Sequence, residues 1–341
     1  MRFLKRLVFA ALLLAGLAGG WLAWFALTPV ALSNPAGADR DRPLDFTIPA
    51  GSGLRAVSQQ LVSAGMAFSP WQFTVLARLL GKAGAIQAGS YEVEVGVTPW
   101  QLLGKLTRGD VSQGALLFVE GMSFRQLRAA LDTHPDLRHD TAGLSEAEIL
   151  ARVGAAEKHP EGLFFPDTYL FTKRSSDVEL LRRAYRAMQQ RLAQAWETRA
   201  PGLPLKTPYE ALILASIVEK ETGVATDRPQ VASVFVNRLR IGMALQTDPT
   251  VIYGMGAQFD GNLRKRDLQT DTPYNTYRRP GLPPTPIAMP GQAALDAVVQ
   301  PARSDKLYFV ARGDGSSEFS RNLDEHNRAV NLYQRNKGRK P

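Results

Sequence analysis

The chain of 341 residues contains no cysteine. Disulfides, thiolate metal sites and cysteine nucleophiles are excluded together, and any redox compartment is compatible. Histidine is scarce. His134, His139, His159 and His326 show no HExxH or paired-ligand spacing, so neither a metal nor a cofactor is expected. Also missing are the patterns of nucleic-acid readers: a recognition helix, a base-stacking aromatic platform and a zinc finger. The net charge of +9 points to an anionic surface or polymer, but the basic residues are scattered, with runs only at the two termini. Nucleic acid is therefore not an expected partner. The Gly-x-Gly at 51–53 lacks a third glycine and a βαβ setting, and reads as a turn.

The chain does have one long apolar run. Arg2, Lys5 and Arg6 precede an uncharged stretch from Leu7 to Leu27. About 20 helical residues cross the roughly 30 Å hydrocarbon core of a bilayer. Residues 7–27 are thus expected to span a membrane once, with the basic end cytoplasmic and the rest of the chain outside. Trp21, Trp24 and Phe25 fall where an outer aromatic belt would lie. A cleaved signal peptide is the alternative, but the apolar core is overlong for one and no small-x-small site follows it directly.

After this anchor (1–29), the polar stretch 30–43, "VALSNPAGADRDRP", reads as a linker. Within 44–112, "LDFTIP" alternates as a strand. Leu54, Val57, Leu61 and Val62 follow at helical spacing, and Ser69-Pro70 opens a second helix. "GSYEVEVG" alternates as another strand, and Thr98-Pro99 caps a third helix. A small α+β module results. The larger unit, 113–337, opens with the strand "GALLFVEG" and becomes rich in helix, including 177–198; the basic tail 338–341 closes the chain. In "EGLFFPDTYLF" (161–171) four aromatics surround Asp167. The segment is either a turn wedged into the core or an aromatic platform for sugar rings.

"LILASIVEKETG" (212–223) carries the sharpest chemical signal. Thr207-Pro208-Tyr209-Glu210 predicts a capped helix starting at Pro208 and ending before Gly223. Leu214, Ile217, Val218 and Glu221 share one stripe, while Glu219 lies about 160° away on the wheel. Glu221 thus continues an apolar line. Desolvation there would raise its pKa and supply a proton donor near neutral pH, unless the stripe ends a turn early and the side chain reaches water. A second helix carries Val231, Val234, Phe235 and Leu239 on one face, and the polar loop Gln246–Thr250 follows. The stretch 271–291 is rich in proline and glycine and long for a structureless loop; it is either functional or a rigid surface wrap.

"VEGMSF", "EGLFFPDTY", "ASIVEKETG", "VASVFVNRLRIGMALQTDPTVIYGMG", "PYNTY", "GLPPTPIAMPG" and "LYFVARGDG" resemble the endolytic murein transglycosylase (MltG or YceG-like) family over nearly the whole chain. The resemblance implies an α+β protein with an N-terminal transmembrane helix, a small LysM-like α+β module and a larger mixed α+β catalytic domain. It further implies a lyase in the bacterial inner membrane, with the bulk of the chain periplasmic. Such an enzyme cuts peptidoglycan glycan strands internally, limits their length, and has synthases and the elongation or division machinery as neighbours. The family's catalytic acid maps to Glu221, followed by Thr222 much as lysozyme-like transglycosylases carry Glu-Ser. Gln246, Thr247 and Asp248 are expected to line the cleft, with Tyr274, Asn275 and Tyr277 offering amide and aromatic contacts. Lysozyme-type hydrolysis with Asp248 or Asp167 as second carboxylate, and a non-catalytic glycan-binding scaffold, are the alternatives. Where the family often has Gly-x-His-x-Phe, this chain has Ser317 at the histidine position, and His326, of a later "HN" pair, reads as structural.

Overall fold

Residues 2–32 and 43–335 are described in a computed structural model. Most of the expected linker and the basic tail lie outside these residues. The chain folds as two compact units, 1–114 with 170–175, and 115–169 with 176–341.

The first unit begins with helix α1 (Arg2–Leu27). Its stretch Phe3–Leu27 has a mean hydropathy of 2.0 and is long enough to cross a membrane. Strand β1 (Leu44–Ile48), helices α2 (Leu54–Ser63) and α3 (Pro70–Leu79), strand β2 (Gly89–Val93) and helix α4 (Pro99–Arg108) follow. β1 and β2 pair antiparallel with Phe46 opposite Tyr91, and the two rings stack 5.7 Å apart. Leu61, Phe73, Leu102 and Leu106 complete the core from the helices. Between α2 and α3 the buried hydroxyls of Ser58 and Thr74 satisfy each other at 2.9 Å. The reading of 30–43 as a linker is altered at its start. Val30 is buried in this core and its N–H donates to Val97 O at 2.8 Å, while Leu32 bridges to Met66.

The chain leaves this unit within β3 (Gln113–Leu117) and returns within β4 (Thr168–Thr172). These strands pair and run in opposite directions, because Phe118 N donates to Asp167 O while Lys173 N donates to Ser112 O. Residues 170–175 therefore group with the first unit, although sequence order puts them deep inside the second.

The second unit adds α5 (Phe124–Thr133), α6 (Glu146–Val153), α7 (Asp177–Glu197), α8 (Pro208–Glu221), α9 (Arg228–Arg240), α10 (Asp248–Met255), α11 (Lys265–Gln269) and α12 (Gln292–Val299). The hairpin β5 (Tyr308–Ala311) and β6 (Ser317–Ser320) and the helix α13 (Leu323–Val330) close it. Helices α7, α9, α10 and α12 all pack on α8. Every residue of α8 from Ala211 to Val218 is buried, so the helix has no solvent face, and the single apolar stripe drawn on the wheel understates its burial. Its start is at Pro208, with Thr207 Oγ1 accepting from Glu210 N at 3.2 Å. The Glu210 carboxylate accepts from Lys206 N rather than closing the box on Thr207.

The aromatic segment 161–171 takes the core reading, with Phe164, Phe165, Tyr169 and Phe171 buried. Gly162 adopts φ 76°, and a Cβ there would stand 2.5 Å from Pro286, so this turn requires glycine. Nor does the second half of the proline-rich stretch wrap the surface: Pro283 and Thr285–Gly291 are buried beside α8, while Arg278, Arg279 and Pro280 in the first half are exposed. Irregular backbone is costly to bury because its amides need partners. Prolines 283, 284, 286 and 290 carry no N–H, which lightens that demand. The N–H groups of Ile287, Met289 and Gly291 donate to Ser216 Oγ (2.9 Å), Met122 O (2.8 Å) and Glu219 Oε2 (3.0 Å).

Ser216→Ala would leave the buried Ile287 N–H without its acceptor. A loss of about 1–3 kcal/mol of stability is expected, read as a lowered urea midpoint for the detergent-solubilised protein.

Candidate active site

Glu221 is the last residue of α8, and the backbone turns sharply beyond it. Thr222 caps the helix through its N–H to Val218 O, and its hydroxyl oxygen accepts from Val224 N at 3.0 Å. The carboxyl points into a cavity of about 350 Å3 lined by Arg238, Gln246, Asp248, Tyr277, Tyr308 and His326, among others. Thr247 donates its hydroxyl to Glu221 Oε1. The loop that delivers Thr247 is tightly fixed. Gln246 holds the left-handed conformation (φ 48°), sparsely populated by residues other than glycine, and its N–H donates to Thr276 O at 3.2 Å. Thr247 N donates to Thr276 Oγ1 at 3.1 Å. The segment read as a polar loop turns helical at Asp248, where α10 begins.

Burial holds the Glu221 carboxyl above its ordinary range, and the nearby Asp248 charge adds to this. The Thr247 hydrogen bond and the Arg238 guanidinium act the other way. Glu221 therefore stays protonated to higher pH than a surface glutamate, yet its anion keeps a donor and a cation nearby. Asp248 is exposed, and its Oδ1 accepts from the Tyr277 hydroxyl at 2.6 Å. Glu219, on the opposite side of α8, accepts from Gly291 N and serves the packing there.

Of the other residues expected at the cleft, Gln246, Thr247, Asp248 and Tyr277 gather around Glu221. Tyr274 instead faces a second cavity of about 680 Å3, in edge-to-face contact with Tyr253 at 4.9 Å. Asn275 is fully buried. Its amide nitrogen donates to the carbonyls of Asp267, Leu268 and Thr270, and its Oδ1 accepts from Tyr277 N at 2.9 Å. An amide so occupied braces the Tyr277 turn and has nothing to offer a sugar. Asp167 is exposed, is absent from the walls of both cavities, and accepts from its neighbour Thr168 N. Ser317 likewise lies off the Glu221 cavity, its N–H donating to Asp227 Oδ2 at 2.7 Å.

Sequence reasoning missed two residues of this cavity. Arg238 is buried. Its Nε donates to Leu307 O at 2.7 Å and its Nη1 to Leu245 O at 2.6 Å, tying the Thr247 loop to the approach of β5. Spacing could have flagged it, because Val231, Val234, Phe235 and Arg238 fall on one helical face, as Glu221 falls on that of α8. His326, assigned a structural role, stacks on Tyr308 at 5.2 Å, and its Nδ1 has no hydrogen-bond partner among the described residues. Burial, then Arg238, pushes its pKa down, so the ring is neutral near pH 7.

Asp248 lines the smaller cavity and Pro249 the larger, so the first turn of α10 stands between them. At the base of the larger one is Glu161, 5% exposed, whose carboxylate accepts from Phe124 N at 3.0 Å.

A desolvated, hydrogen-bonded carboxyl at a helix tip, opening onto a cavity that Asp248 also lines, is a candidate acid–base site. Similarity to known proteins identifies the kind. The sequence matches the YceG-like family over residues 46–332, and the chain belongs to that family. The endolytic murein transglycosylase of Bacillus subtilis (strain 168) is 31% identical over 326 residues, covering 91% of this chain and 90% of that protein. The Streptococcus pneumoniae D39 protein of the same name is 28% identical, covering 95% of this chain and 63% of its own length. The crystal structure of a YceG-like protein from Listeria monocytogenes superposes with a TM-score of 0.54 at 30% identity, covering 84% of this chain and 99% of that one.

Burial raises Glu161 from 4.5 to about 7, opposed by hydrogen bonds from Phe124 N and Tyr253. The folded state therefore retains a proton that the unfolded chain releases. The stability this contributes is complete below about pH 4.5 and is lost as pH rises through about 7, with a ceiling of about 3 kcal/mol. Glu161→Gln should remove that loss. The gap in urea midpoint between variant and wild type should move in the variant's favour from about pH 5 to about pH 8.

Proposed function

We propose that this protein is a membrane-anchored endolytic lytic transglycosylase. It cleaves the MurNAc–GlcNAc bond inside nascent peptidoglycan strands and leaves 1,6-anhydroMurNAc ends, thereby limiting strand length. The observation that carries the reading is the lone desolvated Glu221, held by Thr247 at an open cavity. The shared family and the names of the curated relatives support the same substrate class.

In this scheme the Glu221 carboxyl donates its proton to the GlcNAc O4 as the MurNAc C1–O4 bond breaks. The resulting carboxylate then takes the proton of the MurNAc C6 hydroxyl as O6 bonds to C1. No water is consumed, and Glu221 ends the cycle protonated. A hydrolase would need a second carboxylate to activate water or attack the sugar. Here the nucleophile is tethered to the reacting sugar, and proximity replaces that group. Gln246, Thr247, Asp248 and Tyr277 line the reacting centre, with Arg238 and His326 on the same walls. Tyr274 belongs to the neighbouring cavity.

Helix α1 crosses the bacterial inner membrane with Arg2, Lys5 and Arg6 on the cytoplasmic side, and both units are periplasmic. The strand–helix–helix–strand order β1-α2-α3-β2 supports the reading of a LysM-like module. Synthases and the elongation or division machinery are its working neighbours.

Digestion of peptidoglycan by the full-length protein in detergent, with products read by mass spectrometry, tests the chemistry. Ends one water lighter than reducing sugars are expected, and Glu221→Gln should slow their release by about 10²–10⁴-fold. Reducing ends would overturn the transglycosylase reading. Intact glycan held by folded but inactive protein would favour a scaffold.

Because the acid must be protonated, kcat/KM should fall as pH rises through the Glu221 pKa. Thr247→Val removes a bond that favours the anion and should move this alkaline limb to higher pH. Asp248→Asn removes a like charge and should move it lower. Movement of both limbs in one direction would show that another group sets it.

A further inference from the structure

Where α1 ends, the helix is part of a folded unit. From Phe3 to Gly20 its side chains are exposed, but Phe25 and Ala26 are buried in the core of the first unit, and Leu22 packs against it. Trp21 stacks on Trp71, the second residue of α3, with centroids 5.1 Å apart and planes 10° apart. Phe25 meets Phe68 edge-on at 6.0 Å, and Phe68 in turn stacks on Phe73 of the core.

Length makes this packing consequential. Lys5 and Arg6 set the cytoplasmic end of the apolar run at Leu7. The exposed helix from Leu7 to Gly20 covers only about 21 Å at 1.5 Å per residue, against a hydrocarbon core of about 30 Å. The missing third is the segment Trp21–Leu27, which the unit already grips. That grip leaves a large apolar surface open: Trp24 is 63% exposed, Leu27 66% and Trp71 57%.

We infer that the first unit is seated in the outer interfacial layer of the bilayer that α1 crosses, with Trp71 against lipid at the boundary between headgroups and acyl chains. The inference rests on the reading of α1 as a membrane span. Lipid is the occupant because the bilayer that surrounds α1 continues past the helix at this level. An indole there has its apolar body buried and its N–H free for the headgroup layer. The unit is then held at the membrane surface by its own packing on Trp21–Leu27.

The absence of cysteine allows a clean test on the full chain. Trp71→Cys and, separately, Leu17→Cys are labelled with a nitroxide and reconstituted into vesicles of phosphatidylethanolamine and phosphatidylglycerol. Spin-label accessibility to oxygen and to a water-soluble nickel chelate is then compared. At position 71 the oxygen-to-nickel ratio should exceed the same label's ratio in detergent-free urea several-fold, approaching that at position 17. A lipid-like value at 17 with a water-like value at 71 would overturn the seated unit and leave the span intact. Water-like values at both would overturn span and seat together. Should Trp71→Cys misfold, a chain keeping Trp71 as its one tryptophan serves instead. Lipids brominated near the headgroup must quench it, and undiminished fluorescence would refute the contact.

Discussion

A helix with no solvent face constrains everything around it. Helix α8 is enclosed by α7, α9, α10, α12 and the proline-rich segment, so from Ala211 to Val218 it carries no ionisable side chain and such groups fall in its first and last turns. A carboxyl in the last turn is still partly enclosed, because the apolar packing continues up to Val218. Its raised pKa follows from the architecture and needs no special device. The loops added afterwards, one bearing Thr247 and one bearing Asn275 and Tyr277, are arranged to meet a group whose position is already fixed.

The charges beside Glu221 oppose one another. Asp248 favours the acid; Arg238 and Thr247 favour the carboxylate. In the proposed reaction the acid gives up a proton and then takes one back, which works best when neither form is strongly preferred. Arg238 also has a mechanical role. By binding the carbonyls of Leu245 and Leu307 it joins segments far apart in sequence, so the cavity has walls from the middle and from the end of the chain. Tyr277 restrains Asp248 in the same way.

The parts of this molecule legible in sequence were those governed by neighbours in the chain. Thr207-Pro208 marked the start of α8, and alternation marked β1 and β2. Glu221 stood out as a charge in line with apolar residues. What stayed hidden depends on contacts between distant residues. Spacing puts Arg238 on the apolar face of α9, but the carbonyls it binds come from remote segments, and His326 needs Tyr308 beside it. Asn275 has the side chain of a ligand contact, but three carbonyls from 267–270 occupy its amide. The proline-rich segment is polar in appearance, yet from Thr285 on it is buried, because Ser216, Met122 and Glu219, all remote in sequence, accept from its remaining N–H groups.

The burial of Phe25 and Ala26 also bears on how this protein can be divided. A boundary drawn at the end of α1, where hydropathy falls, would cut through a core and leave an open socket where Phe25 and Ala26 pack, with the rings of Phe68 and Trp71 uncovered. Material prepared from about residue 28 onward would carry that socket as a sticky surface, and self-association would follow from the cut rather than from any property of the native chain. The natural seam lies before Trp21, inside what composition marks as membrane. The apolar helix and the globular unit are a single folding problem here, although hydropathy separates them into two.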